Sequence, residues 1–374
     1  MGVLLGPAIL DGNRFAVLLN GDEIFPAMLS AIRSAEKSIS FESYIYWSGS
    51  VGQEFAEALS ERAKAGVKVH LLLDWLGSSK LDGAQLDLMK QAGVTVRRFH
   101  EPSWYHLARM NNRTHRKVLV VDGKLGFTGG VGIADAWAGH AQDPDHWRDT
   151  HFRAEGPVVA QMQAVFADNW TKITGGVLHG ADYFPTLAKL GDSNAQMFSS
   201  SPQGGSESMQ LMSRLAITAA SRSIHLSSAY FVPDELSMKA LVAAAQRGVR
   251  VQIITPGEHM DAETVGRASR ARWGELLEAG VEIFEYRPTM YHCKVMVVDG
   301  LWVSVGSTNF DRRSFALNDE ANLNIFDAAF AGRQIEIFQQ DVEQSKAITL
   351  SEWQRRPLAE KVIEHAASLL SAQL

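Results

Sequence analysis

A chain of 374 residues, 46% hydrophobic and 21% charged, is long enough for two ordinary domains with sizeable cores and too apolar to be disordered. Its net charge of -6 argues against a dedicated nucleic-acid binder, which needs an excess of Lys and Arg to neutralise phosphates. The one cysteine, Cys293, excludes an intrachain disulfide and a Cys-rich metal site and suits a reducing compartment.

In chain order, the stretch from Met1 to Gly6 has no basic n-region and reaches Asp11 too soon for a secretory signal. No apolar run is long enough to span a bilayer, so any membrane contact is expected to be peripheral. Residues 13–20 read as a strand leading into Gly21-Asp22, and Ile24, Met28, Leu29 and Ile32 mark an amphipathic helix ending near Lys37. Residues 38–47 alternate apolar and polar positions as a strand does. A helix over 54–64 stops at Gly66, a buried strand covers 67–73, a helix over 84–91 stops at Gly93, and a strand over 94–99 follows. This is a βαβ rhythm. A loop through Pro102-Ser103-Trp104-Tyr105 then enters the first of two chemically loaded stretches. The second half repeats the order: Arg222-Ser223-Ile224 answers Lys37-Ser38-Ile39, Arg247-Gly248-Val249 answers Ala65-Gly66-Val67, and Ala279-Gly280-Val281 answers Ala92-Gly93-Val94. Two similar α/β halves about an approximate twofold are therefore expected, at 1–174 and 175–345, with a helical tail at 346–374. In that tail Leu358, Val362, Ala366 and Leu369 form a stripe at helical spacing. Packing onto the body is the expected use of the stripe, and docking on a membrane surface is the second reading.

The loaded stretches share the pattern H-x-K-x4-D-G, as His115, Lys117, Asp122 and Gly123 and again as His292, Lys294, Asp299 and Gly300. Two copies with similar flanks are far harder to attribute to chance than one. Four apolar residues before Asp-Gly read as a buried strand entering a tight hairpin turn, and residues i and i+2 of a strand share a face. Each imidazole thus lies beside a fixed positive charge, an arrangement suited to an anion. At a phosphodiester, one neutral imidazole can attack phosphorus and form a covalent phosphohistidine. The other can protonate the leaving alkoxide and later deprotonate an incoming alcohol, while the lysines offset charge on the non-bridging oxygens. The scheme calls for no metal, and a Lys beside each His repels a cation. Asp122 and Asp299 complete the candidate catalytic set, although turn chemistry alone explains an Asp before Gly, so they are assigned a motif-holding role.

Around this core, Gly306-Ser307-Thr308-Asn309 is a candidate phosphate cradle, with Ser307 and Asn309 as side-chain donors. Gly129 and Gly130 are its counterpart in the first half, a turn without such donors. Asp149 and Glu320 follow the motifs at similar distances and are candidates to orient the histidines. For Asp149 the competing reading is an ion pair with Arg148. Arg97, Arg98, Arg109, Arg113, Arg116 and Lys117 suggest a basic patch beside the first motif. Cys293, facing away from His292, is expected to pack in the core.

With its duplicated motif and the Gly306 to Asn309 extension, the sequence resembles the phospholipase D superfamily, and within it is most similar to bacterial cardiolipin synthases. Phe41-Glu42-Ser43-Tyr44, Trp147-Arg148-Asp149-Thr150, Tyr230-Phe231-Val232-Pro233-Asp234 and Asn309-Phe310-Asp311-Arg312-Arg313-Ser314 carry the closer likeness. The resemblance implies two α/β/α sandwich halves with mixed β-sheets, related by a pseudo-twofold axis with the active site between them. It implies a metal-independent phosphatidyltransferase without cofactor, with His115 as nucleophile and His292 as acid/base. Phosphatidylglycerol and phosphatidylethanolamine are the implied substrates, no nucleic acid is expected, and the implied location is cytoplasmic, peripheral to the inner face of an anionic membrane. Trp104, Tyr105, Leu107 and Met110 suit such an interface. Gly132 stands where cardiolipin synthases commonly have Asn, and the two membrane-spanning helices of many members are not seen. The alternative is a phosphodiesterase or nuclease using the same site with water as acceptor.

Overall fold

The computed structural model describes residues 6–101, 112–201 and 208–369. The first half runs β1 (Leu10–Leu19), α1 (Asn20–Arg33), β2 (Ser38–Ser43), α2 (Ser50–Lys64), β3 (Lys68–Asp74), α3 (Gly83–Gln91), β4 (Thr95–Phe99), β5 (Val118–Val121), β6 (Leu125–Gly129), β7 (Thr150–Glu155) and α4 (Val158–Thr174). The second runs β8 (Ser193–Ser200), α5 (Ser208–Ala219), β9 (Ser223–Ser228), β10 (Phe231–Val232), α6 (Glu235–Gln246), β11 (Arg250–Pro256), α7 (Glu263–Arg270), α8 (Trp273–Glu278), β12 (Glu282–Tyr286), β13 (Lys294–Val298), β14 (Trp302–Gly306), β15 (Phe310–Asp311), α9 (Arg312–Ala316), β16 (Glu320–Phe326) and α10 (Ala328–Glu343). Strand β17 (Ser345–Ile348) and helices α11 (Leu350–Gln354) and α12 (Leu358–Leu369) follow. The tail expected from residue 346 thus opens as an edge strand antiparallel to β12, and its helical part starts at Leu350.

The fold is α/β, and its halves have one topology. From the middle outward the first half reads β1-β7-β6-β5-β2-β3-β4 and the second β8-β16-β14-β13-β9-β11-β12, and β1 pairs with β8 to make a single 15-stranded mixed sheet. The senses match as well. β2, β3 and β4 are parallel neighbours, as are β9, β11 and β12, whereas β5 and β13 run antiparallel to β2 and β9.

The motif strands β5 and β13 are buried throughout because helices cover the sheet, which is why, Lys294 apart, they are runs of Val, Leu and Met and do not alternate. Strand β2 departs from its alternating pattern for a related reason. Its polar positions are buried too, since α4 supplies them with partners: Gln163 Nε2 donates to Ser40 Oγ at 3.0 Å and Asn169 Nδ2 to Glu42 at 2.8 Å.

The two hairpin turns are built alike. Asp122 and Asp299 take φ of 53° and 55°, each followed by a glycine at 64° and 63°, the left-handed pair that Asp-Gly supplies at least cost. The Asp122 carboxylate accepts the backbone N–H groups of Glu36, Lys37 and Ser38 at 3.0, 2.7 and 2.9 Å. Asp299 accepts those of Ser221, Arg222 and Ser223 at 2.9, 2.7 and 3.0 Å. Each therefore pins the start of β2 or β9 to the far end of its motif strand, roughly 16 Å along the chain from the motif lysine. Asp122→Ala and Asp299→Ala are expected to lower unfolding free energy by about 2–3 kcal/mol each in denaturant titrations, since three donors lose a charged acceptor. Urea midpoints unchanged from wild type would contradict this role.

Candidate active site

Backbone pairing across the halves brings the two motifs to one cleft. The N–H of His115 donates to Asp319 O at 2.9 Å and that of Asp319 to Arg113 O at 2.8 Å, so the entry to β5 is stitched to the residues just before β16. The mirror arrangement has His292 N–H on Arg148 O at 2.8 Å and Arg148 N–H on Met290 O at 2.9 Å. The residue after each of these cross-strand partners is a carboxylate. Consequently His115 is held by Glu320 of the second half, with Nδ1 2.9 Å from Oε1, and His292 by Asp149 of the first, with Nδ1 2.7 Å from Oδ2. The order of the sequence suggests that each carboxylate serves the motif it follows; the structure pairs them crosswise. Arg148 is not the partner of Asp149, because it forms a bidentate pair with Asp341 at 3.0 and 3.1 Å.

A carboxylate can only accept, so each Nδ1 carries the proton and each Nε2 keeps its lone pair. Both carboxylates are fully buried and further fixed. Asp149 also accepts Trp137 Nε1 at 2.9 Å and Thr150 N at 2.8 Å, and Glu320 accepts Ser307 Oγ at 2.5 Å. Burial alone would raise their pKa values, but the facing histidines and these donors hold both below the usual range. The imidazoles are neutral: burial, with the neighbouring lysines, pushes His115 down to about 4 and His292 down to about 3. Lys117 and Lys294 curl back onto the carbonyls of His115 and His292 at 3.0 and 2.7 Å. Lys294 Nζ lies 3.1 and 3.2 Å from the two ring nitrogens of His292, hence against the ring and not aimed at one of them. Burial and the charge of Lys294 push Lys117 down to about 7. Two buried lysines whose charges repel each other suit the site to an anion.

The cleft, about 330 Å³, is lined by His115, Lys117 and His292 together with Tyr44, Ile45, Trp47, Arg113, Trp147, Tyr230, Asp261, Val265, Asn309 and Arg313. A larger surface groove of about 720 Å³ runs along α1, with neither motif at its walls.

Several expectations change here. Asp122 and Asp299 do not line the cleft, for the reason given by the turns. The Gly306 to Asn309 segment is not a backbone cradle, because the N–H groups of Ser307, Thr308 and Asn309 donate to Ala321 O, Asn322 Oδ1 and Ser314 Oγ. Its contribution is Ser307, which braces Glu320, and Asn309, whose buried Oδ1 has no partner among the described residues. Gly129 and Gly130 are clearance, not cradle: a Cβ on Gly130 would lie 2.3 Å from Asp149 Oδ1, and one on Gly129 2.6 Å from His151 Nδ1. At Gly132 a Cβ would lie 2.7 Å from Ile45 Cβ, so this half has no counterpart of Asn309. Of the expected basic patch, Arg116 is buried against Val165 O and Asp168, and Arg97 and Arg98 lie on β4 away from the cleft; Arg113 and Lys117 line it. Trp104, Tyr105, Leu107, Arg109 and Met110 fall outside the described residues. Cys293 packs among Tyr286, Tyr291 and Phe338.

The pairing of Tyr230 Oη with both oxygens of Asp261, at 2.8 and 2.7 Å on the cleft wall, was not legible in the sequence. Nothing in a Met-Asp-Ala loop marks its acidic group for the wall of this cleft. Burial raises the Asp261 carboxyl although the tyrosine partly offsets it.

The sequence profile described as "Cardiolipin synthase, PLD-like domain" matches residues 28–170 and 214–342. The cardiolipin synthase of Geobacillus kaustophilus is 36% identical over 365 residues, which is 97% of this chain and 72% of the relative. Cardiolipin synthase 2 of Bacillus anthracis is 34% identical over 360 residues, 96% of this chain and 70% of the relative. Among solved structures, the phosphatidylserine synthase of Haemophilus influenzae Rd KW20 superposes with a TM-score of 0.73, covering 96% of this chain and 95% of its own at 15% identity, a likeness of fold alone.

Proposed function

Because this chain belongs to the cardiolipin synthase family of phospholipase D-like proteins and is a phosphatidyltransferase, we propose that it transfers its phosphatidyl group through a phosphohistidine on His115. The observation that carries this reading is a neutral His115 whose Nδ1–H is fixed on Glu320, leaving Nε2 as a lone pair in the field of Lys117 and Lys294. In the first step Nε2 bonds to phosphorus, the bond from phosphorus to the headgroup oxygen breaks, and the proton of His292 goes to that oxygen. In the second, the acceptor alcohol attacks phosphorus, its proton passes to His292, and the His115–phosphorus bond breaks. Lys117 and Lys294 meet the non-bridging oxygens.

His292 is neutral, buried beside Lys294, so it needs a proton before it can act as an acid. A bound phosphodiester supplies the missing negative charge beside it and, with Asp149, raises its proton affinity; proton uptake therefore accompanies substrate binding. Phosphatidylglycerol is the proposed donor, and a second phosphatidylglycerol or glycerol the acceptor. Among the described residues no helix is long and apolar enough to cross a membrane, and contact with an anionic bilayer is proposed to be peripheral.

The test uses a phosphorus-labelled substrate with a good leaving group, which needs no acid. His292→Ala should accumulate label on His115, identified by peptide mapping, whereas His115→Ala should accumulate none. Label on His292 would reverse the two roles, and label on neither would remove the covalent route.

A further inference from the structure

Helix α12 turns a charge inward and its aliphatic side chains outward. Glu364, 3% exposed, faces the body and pairs with Arg356 at 2.8 Å, while half-buried Lys361 donates to Gln354 O at 2.6 Å. Beside them Ala367 packs with Val232, Val265 and Ala268. The face turned away carries Leu358, Val362 and Leu369, exposed by 79%, 68% and 73%, with Ile363 at 45% alongside. A helix on a water-facing surface places these classes the other way round. The stripe that the sequence suggests should pack on the body is thus the one left uncovered among the described residues.

We propose that this stripe docks the enzyme on a lipid bilayer. Its place in the fold fits that occupant. The cluster holding Ala367 contains Val265 and Tyr230, which are also walls of the catalytic cleft, so α12 stands about one helix diameter, roughly 10 Å, from the cleft. A lipid whose headgroup enters the cleft leaves its acyl chains in the bilayer, and a helix lying in the interface beside that opening brings the two together. A second copy of the chain fits less well. Four aliphatic side chains offer roughly a few hundred Å², short of the about 800 Å² per partner that a stable dimer buries. The exposed charges around the stripe are mixed, Arg355 against Glu360, so apolar insertion and not attraction to anionic lipid drives the contact.

The proposal takes its choice of lipid from the phosphatidyltransferase reading, and its test needs no turnover. The full chain is sedimented with vesicles of pure phosphatidylcholine, and of phosphatidylcholine mixed with phosphatidylglycerol, over a range of salt. Wild type should bind both with little dependence on salt, and so should His115→Ala, whose chemistry is blocked. The triple variant Leu358→Ser, Val362→Ser, Leu369→Ser should bind at least about tenfold more weakly, whereas Val177→Ser, at a 68% exposed site in the loop after α4, should bind as wild type does. Should the triple variant melt early, Val362→Cys carrying a polarity-sensitive dye replaces it, Cys293 being buried; its emission should shift to the blue on adding phosphatidylcholine vesicles. Normal binding by a folded triple variant, or a dye that does not respond, overturns the proposal. A wild-type dimer in sedimentation velocity that the triple variant dissolves would assign the stripe to a second copy.

Discussion

Replacing either motif histidine by alanine is expected to stop turnover of phospholipid. On the proposed scheme, His115→Ala removes the nucleophile, and His292→Ala leaves a poor alkoxide leaving group without a proton. Each should lower kcat by about 10⁴-fold or more, and the double variant should be no slower than His115→Ala, because groups that act in one sequence of steps do not contribute additively. Wild-type rates should be unchanged in EDTA, as no proposed step calls on a metal. Thin-layer separation of products from labelled phosphatidylglycerol, with and without glycerol, measures all of these. A single variant with near-normal rates, or activity lost to chelator and restored by a divalent ion, would refute the two-histidine scheme.

The second large effect belongs to the crossed carboxylates. Glu320→Gln and Asp149→Asn keep shape but exchange an acceptor for a group that can present N–H, which frees the histidine to adopt the wrong tautomer; a loss of about 10⁴-fold is expected for such a change. The pH profile separates this from a merely damaged fold. Lys117 is held down to about 7 by burial and by Lys294, and Glu320 and Asp149 act against that by favouring its charged form. On the proposed scheme Lys117 must be charged to meet the phosphate, so wild-type kcat/KM should fall as pH rises through about 7. Removing either carboxylate's charge lets Lys117 lose its proton sooner, and the residual activity should begin to fall at lower pH than in wild type. In the substrate complex the phosphodiester's charge works the other way, so the alkaline limb of kcat should lie above that of kcat/KM. Variants that lose activity with both limbs unmoved would leave Glu320 and Asp149 as scaffold.

The parts of this site that sequence makes legible are those written as local pattern. The duplicated H-x-K-x4-D-G gives the histidines, the lysines and the turns, because a strand's period of two and the left-handed needs of a hairpin are local rules. Asp149 and Glu320 could be named as candidates on chemistry, but their crossing could not, since it depends on which half faces which. In sequence Ser307, Gly129 and Gly130 suit a phosphate site, since glycine and serine next to a strand do so equally well; close packing against Glu320, His151 and Asp149 gives them another use. Helix α12 shows the same limit. A period of 3.6 reports that a stripe exists and is silent on whether it faces in or out.

The crossed pairing also sets when in its life the protein can act. A ribosome makes His115 and Lys117 early and Glu320 late. Until β16 is laid down beside the entry to β5, His115 has no carboxylate to fix its tautomer and Lys117 has no second lysine with which to hold a phosphate. On the proposed scheme the emerging chain carries His115 unarmed, and reactivity arrives with closure of the two halves.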